Sequence, residues 1–193
     1  MYPDLGEYSG TGQRRRDDIL YAALLFAGVV FSLAAMPLGF ALLSSAWWGI
    51  VLIIMKTDLS TLTIPDEASL AVAAIGLIEV YLRNDEGSLI SDTATGLTRG
   101  FVAFSVFYLV KVAYRSLRGH EGLGFGDVKL VGACAIWLYP YEQIIALEIA
   151  AGSALAVMLF KKARVRATLI PFGAFLAPAA WLVFVSRSWV GMR

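Results

Sequence analysis

Seven apolar runs divide this chain, at approximately 18–36, 38–57, 67–83, 97–117, 127–139, 141–160 and 167–187. A segment needs about 20 apolar residues, each rising 1.5 Å, to cross roughly 30 Å of hydrocarbon. Most of the runs approach that length; the fifth is short for a full crossing. The pattern predicts an all-α fold, a polytopic transmembrane helix bundle of about six to seven spans. Composition agrees: 59% of the 193 residues are hydrophobic, more apolar surface than a soluble domain of this size buries. Pro37-Leu38-Gly39 and Tyr139-Pro140-Tyr141 predict the tight turns between the first and second and the fifth and sixth spans.

The first thirteen residues are polar and lack periodicity, which predicts a mobile tail. Arg14-Arg15-Arg16 then precedes the first run in the manner of a secretory signal. A second span follows at once, so the first reads as a retained helix rather than a cleaved leader. The expected organisation is a flexible cytoplasmic tail over 1–16 and one integral membrane domain over 17–193.

Charge orients the bundle. With the N-terminus cytoplasmic, the inner segments hold Arg14, Arg15, Arg16, Lys56, Lys111, Arg115, Arg118, Lys129, Lys161, Lys162, Arg164 and Arg166. The outer segments hold Arg83, Arg99, Arg187 and Arg193. Twelve against four is a positive-inside bias, and it brings Asp58 and Asp127 to the same cytoplasmic side.

Several function classes are excluded early. A net charge of +1 without a basic stripe leaves no nucleic-acid footprint. One cysteine, Cys134, and one histidine, His120, rule out an intrachain disulfide or a thiolate zinc site, and no metal or other cofactor is expected.

The two aspartates carry the interest, because an acid near hydrocarbon costs roughly 2.5 to 3.5 kcal/mol at a helix centre and marks a functional site by default. Asp58 ends the second run, seven residues ahead of Pro65, which suits entry into the third helix. Asp66 and Glu67 then fit the positive end of that helix, whereas Asp58 has no such explanation beyond being an interfacial acid. Asp127 follows Gly122, Gly124 and Gly126, where missing Cβ atoms would let a peptide approach closely. The alternative for Asp127 is that it caps the fifth helix.

Gly124-Phe125-Gly126-Asp127 resembles the Gly-x-Gly-Asp motif of membrane-embedded aspartic proteases, and its continuation Val128-Lys129-Leu130 is similar to the type IV prepilin peptidase branch. Asp58 with Ile64-Pro65 matches that branch's first aspartate motif. Ile170 to Pro178, containing Pro171-Phe172-Gly173, resembles its Pro-Phe-Gly-Pro-Phe-Leu segment. The resemblance covers roughly Trp47 to Pro178. It departs at Asp66, where asparagine is common, and at Ala174, which replaces a frequent proline.

The resemblance implies an aspartic endopeptidase of the inner membrane that removes leader peptides from prepilins or pseudopilins at the cytoplasmic face. Asp58 and Asp127 would be catalytic, one as general base and one protonated, since like charges at close range do not both ionise cheaply. Pro65, Gly124, Gly126, Lys129, Pro171 and Gly173 would support the motifs, and lipids and leader peptides would be the partners. Larger members carry a cysteine-rich zinc domain between the first two spans and also N-methylate their product. Only Pro37 to Gly39 joins those spans here, so a short form without methyltransferase activity is expected. Lys129 reads as a positive-inside anchor; Glu79 and Glu148 fall inside spans three and six, and Glu148, nearer mid-span, reads as an interhelical hydrogen-bonding acid. The rival readings are a proton-coupled transporter or channel using Asp58, Asp127 and Glu148, and a non-catalytic subunit of a pilus or secretion assembly.

Overall fold

The computed structural model describes residues 7–83, 88–160 and 170–190, with side chains from Arg16 to Arg187 within them. These residues form seven helices: α1 (Glu7–Ala35), α2 (Leu38–Thr61), α3 (Asp66–Arg83), α4 (Leu89–Arg118), α5 (Phe125–Trp137), α6 (Pro140–Phe160) and α7 (Gly173–Val190). They follow the seven apolar runs in order. The first six residues of the expected tail lie outside the described residues, and from Glu7 the backbone is helical. Lys161, Lys162, Arg164, Arg166 and Arg193 of the orientation argument lie outside as well, as do the side chains of Arg14 and Arg15.

The turns sit one or two residues earlier than their sequence signals. Met36-Pro37 joins α1 to α2, and Leu38 and Gly39 already belong to α2, whose ladder begins with Ala41 N–H on the Pro37 carbonyl at 2.9 Å. Pro140 is the first residue of α6 rather than the turn, a position where its missing N–H costs nothing.

Helices α1, α2, α4 and α6 are long and apolar enough to cross a membrane, and Gly173–Arg187 of α7 is a shorter apolar helix. α5, at 13 residues, is about 20 Å long and cannot cross alone. Its burial explains its composition. Val128 and every residue from Leu130 to Trp137 are buried, and a helix apolar all round belongs in a core. It packs against α3, α4 and α7. Trp137 stacks on Trp47 with ring centroids 4.4 Å apart, and Phe184 stands edge-on to it at 4.9 Å. The Trp137 indole N–H donates to the Val72 carbonyl at 2.7 Å, so the ring is buried without an unmet donor.

An ionic cluster closes one end of the bundle. Arg187 donates to both oxygens of Glu142, at 2.9 and 2.6 Å, and to the Trp137 carbonyl at 2.9 Å. Glu79 pairs with Arg83 within its own helix and lies 4.0 Å from Arg187 of α7. Arg83, Arg99 and Arg187 all lie over the Tyr139 ring, at 5.8, 4.9 and 5.0 Å. Five helices are thereby tied at one end, which leaves their opposite ends to frame the aspartates.

Candidate active site

Asp58 and Asp127 stand at the opposite end of the bundle, beside the first turn of α7. Asp58 lies in the last turn of α2 and is 4% exposed. Its Oδ2 accepts the Ala174 N–H at 2.8 Å, and its carbonyl accepts the Leu62 N–H at 3.0 Å. Leu62 ends α2 in the left-handed conformation, at φ 55°. That conformation costs a side-chain-bearing residue about 1–2 kcal/mol. The break turns the chain sharply after Asp58 and delivers Ile64 back against the carboxylate region.

Asp127 is the third residue of α5, with Gly124 as the N-cap. Its Oδ2 lies 3.0 Å from where a Cβ on Gly124 would sit, over the first turn of the helix. Gly173, at the start of α7, lies against Asp58, the place of its absent Cβ being 3.1 Å from Asp58 Oδ2. Ile64 packs against both Gly173 and Gly126, which brings the acids of α2 and α5 to the same end of α7.

Ile64 explains the glycines of two motifs at once. A Cβ on Gly126 would come 3.0 Å from the Ile64 Cβ. One on Gly173 would come 2.4 Å from the Ile64 Cδ1 and 3.1 Å from the Asp58 Oδ2. The isoleucine is buried between them and holds the α2–α3 link, the start of α5 and the start of α7 in one packing unit. In the sequence Ile64 stands out only as part of the first aspartate motif, with no sign of this packing role.

The remaining candidates support this unit from outside. Pro65 precedes α3, and its carbonyl accepts the Ala68 and Ser69 N–H groups at 3.2 and 3.3 Å. Pro171 does the same for Ala174 at 3.2 Å. Lys129, expected as an interfacial anchor, pairs with Asp66 and lies 4.7 Å from the Phe125 ring centroid, tying α5 to α3. Phe125 also meets Phe104 and Tyr108 of α4 edge-on, at 6.2 and 6.3 Å.

Lys111 is a residue that sequence reasoning used only for charge counting. Its Nζ donates to the Leu123 carbonyl at 2.9 Å and to Glu121 Oε2 at 3.1 Å. Arg115 holds the other Glu121 oxygen at 3.1 Å, so the loop before Gly124 is laced to α4. Lys111 beside Glu121, reinforced by Arg115, holds the Glu121 carboxyl below the usual glutamate range. A lysine inside the apolar 97–117 run was the available signal.

Glu148 does not join the aspartates. It stands exposed on α6, and among the described residues it has no hydrogen-bonding or ionic partner, contrary to the interhelical bond expected. No group of three or more His, Cys, Asp and Glu side chains converges among the described residues.

Residues 45–160 match the type IV leader peptidase family. The chain is 34% identical over 130 residues to a prepilin leader peptidase/N-methyltransferase of Xanthomonas campestris pv. campestris, covering 66% of this chain and 44% of that protein. It is 30% identical to one from Dichelobacter nodosus, over 96% of this chain and 64% of that protein. It is 31% identical to leader peptidase HopD of Escherichia coli, over 62% of this chain and 77% of that protein. The chain spans about half the length of the N-methyltransferase relatives. No solved structure matches it. With the family match running from the α2 core through Asp58 and Asp127 into α6, the chain belongs to the type IV leader peptidase family.

Proposed function

We propose that this chain is an aspartic endopeptidase that removes the leader of type IV prepilins or pilin-like proteins at the cytoplasmic membrane face, with Asp58 and Asp127 as its catalytic pair. The observation that carries the reading is the convergence of Asp58 and the Gly126–Asp127 turn on Ile64 and the first turn of α7, at the end of the bundle that the charge bias turns inward.

In this mechanism one carboxylate takes a proton from a water whose oxygen attacks the scissile carbonyl carbon. The other carboxyl, protonated, donates a hydrogen bond to the carbonyl oxygen and then delivers its proton to the leaving nitrogen as the C–N bond breaks. The proton count belongs to the pair, so the two roles are not assigned to individual residues. Asp58 is held by the Ala174 N–H, which supports a preorganised geometry.

The reading also includes peptidase action without methyl transfer. Two residues, Met36 and Pro37, separate α1 from α2, so no inserted domain stands between those helices. The test is to incubate the purified protein in lipid nanodiscs with a leader-bearing prepilin and sequence the product. The proposal expects one cut, just before the hydrophobic segment, and an unmodified new N-terminus. An intact substrate contradicts the peptidase reading, and a methylated terminus contradicts the restriction to cleavage.

A further inference from the structure

Helices α2 and α6 both pack on α7, and an apolar groove lies between them. Its inner part, about 370 Å³, runs past Leu59, Ser153 and Ala174. Its outer part, about 280 Å³, ends at the Glu142–Arg187 pair. Ile149 and Leu182 line both parts, so the two form one furrow along the α6–α7 seam. From Ala174 to Arg187 the furrow follows α7 for about 20 Å, a large share of the roughly 30 Å of hydrocarbon.

Acyl chains fill any apolar furrow, so shape alone names no occupant. Two observations do. Ala174 is at once a wall of the groove and the donor to Asp58 Oδ2, which makes the furrow continuous with the candidate active site. Glu148 adjoins Ile149 on α6, about 12 Å along the helix from Pro140, and stands exposed without a partner among the described residues. An acid at that depth costs roughly 2.5 to 3.5 kcal/mol unless something in the membrane meets it. One turn further in, Gly152 has nothing within 4 Å of where its Cβ would be, leaving bare backbone for a close helix–helix approach. A lipid tail offers Glu148 no hydrogen bond; a helix does.

We propose that this groove seats the hydrophobic helix of the substrate, the segment that follows the scissile bond, with a hydrogen-bonding side chain of that helix meeting Glu148. The inference rests on the peptidase reading and deepens it. The helix enters sideways from the bilayer, and its inner end delivers the peptide bond past Ala174 to the two carboxyls. Binding energy from a segment remote from the reacting atoms is then used to orient the bond that is cut.

The test uses the full chain in nanodiscs with two substrates: a full-length prepilin, and a soluble peptide that carries the same leader and cleavage residues but stops before the apolar helix. Ile149→Trp and Ser153→Trp obstruct the groove, and Glu148→Leu removes the acid beside it. Each variant is expected to lower the ratio of kcat/KM for prepilin to that for peptide by at least about tenfold, chiefly through KM. An unchanged ratio overturns the proposal. A second arm places a photoreactive side chain at Ser153 and identifies what it captures. Capture of the apolar helix of the prepilin supports the proposal even if the wild type cuts nothing, in which case the peptidase reading alone fails. Capture only of lipid, or of a second copy of this chain, overturns it even where cleavage is normal.

Discussion

The backbone N–H of Ala174 donates to Asp58 Oδ2 at 2.8 Å, joining the first turn of α7 to the last turn of α2 across 116 residues of sequence. The family segment that this stretch resembles frequently has proline at the Ala174 position, and proline has no N–H to give. Asp58 is thereby held by a bond that a proline at this position could not make. Hydrogen bonds to charged groups contribute about 1.5–3 kcal/mol. Ala174→Pro should leave α7 intact, since proline suits a first helical turn. The lost bond favoured the charged carboxylate, so whichever limb of the pH–rate profile Asp58 governs should move to higher pH. A superimposable profile would mean that the bond is irrelevant to the chemistry.

Gly173→Ala tests the packing unit around Ile64. The added methyl would sit 2.4 Å from the Ile64 Cδ1, a contact that forces displacement. Overpacking costs about 1–3 kcal/mol, and a misplacement near 1 Å lowers activity on the order of a hundredfold. Cleavage should fall by that order, and Ile64→Ala in the same chain should restore part of it by vacating the space. Failure of the double variant to exceed Gly173→Ala would show that the glycine is needed for another reason.

These relationships mark what the sequence could and could not disclose. Asp58, Asp127 and the glycines announce themselves because acids and missing side chains are anomalous inside apolar runs. Span counting then brings them to one side of the membrane. Ile64 is not anomalous, and only the convergence of Gly126 and Gly173 upon it reveals its role. Lys111 was visible as a charge, but its bond to the Leu123 carbonyl depends on how the loop folds back over α4. The expectation for Glu148 failed because helical periodicity gives the face of a residue without saying whether another helix covers it.

The loop before Gly124 should loosen in acid. Glu121 has its carboxyl held below the usual range by Lys111 and then Arg115, so its contribution is present above the ordinary glutamate pKa and is lost as pH falls through the depressed one. Amide exchange around Leu123 and Gly124, corrected for intrinsic rates, should accelerate below the ordinary glutamate range. Glu121→Gln should remove most of that acid dependence. Equal acid dependence in both proteins would leave the loop anchored by the Lys111–Leu123 bond alone.

Orientation is open to direct labelling. Single cysteines at Ser60 and Ser116, in a Cys134→Ala background, should react with an impermeant thiol reagent only after the cytoplasmic side is opened. One at Ser88 should react in intact cells. All three serines are exposed, so access is set by the membrane rather than by burial. Labelling of Ser60 from outside would invert the bundle and separate the aspartates from any cytoplasmic leader.

The central claim is that Asp58 and Asp127 act together on a leader peptide, and isosteric exchange measures it most directly. Wild type, Asp58→Asn, Asp127→Asn and Asp66→Asn are compared for prepilin cleavage in nanodiscs, alongside their yield in the membrane. Asp66 is the control, a 73%-exposed acid paired with Lys129, where a surface pair contributes about 0–1 kcal/mol. The account predicts that Asp58→Asn and Asp127→Asn each abolish cleavage at normal yield, while Asp66→Asn retains most of it. Substantial cleavage by either of the first two variants would contradict the account.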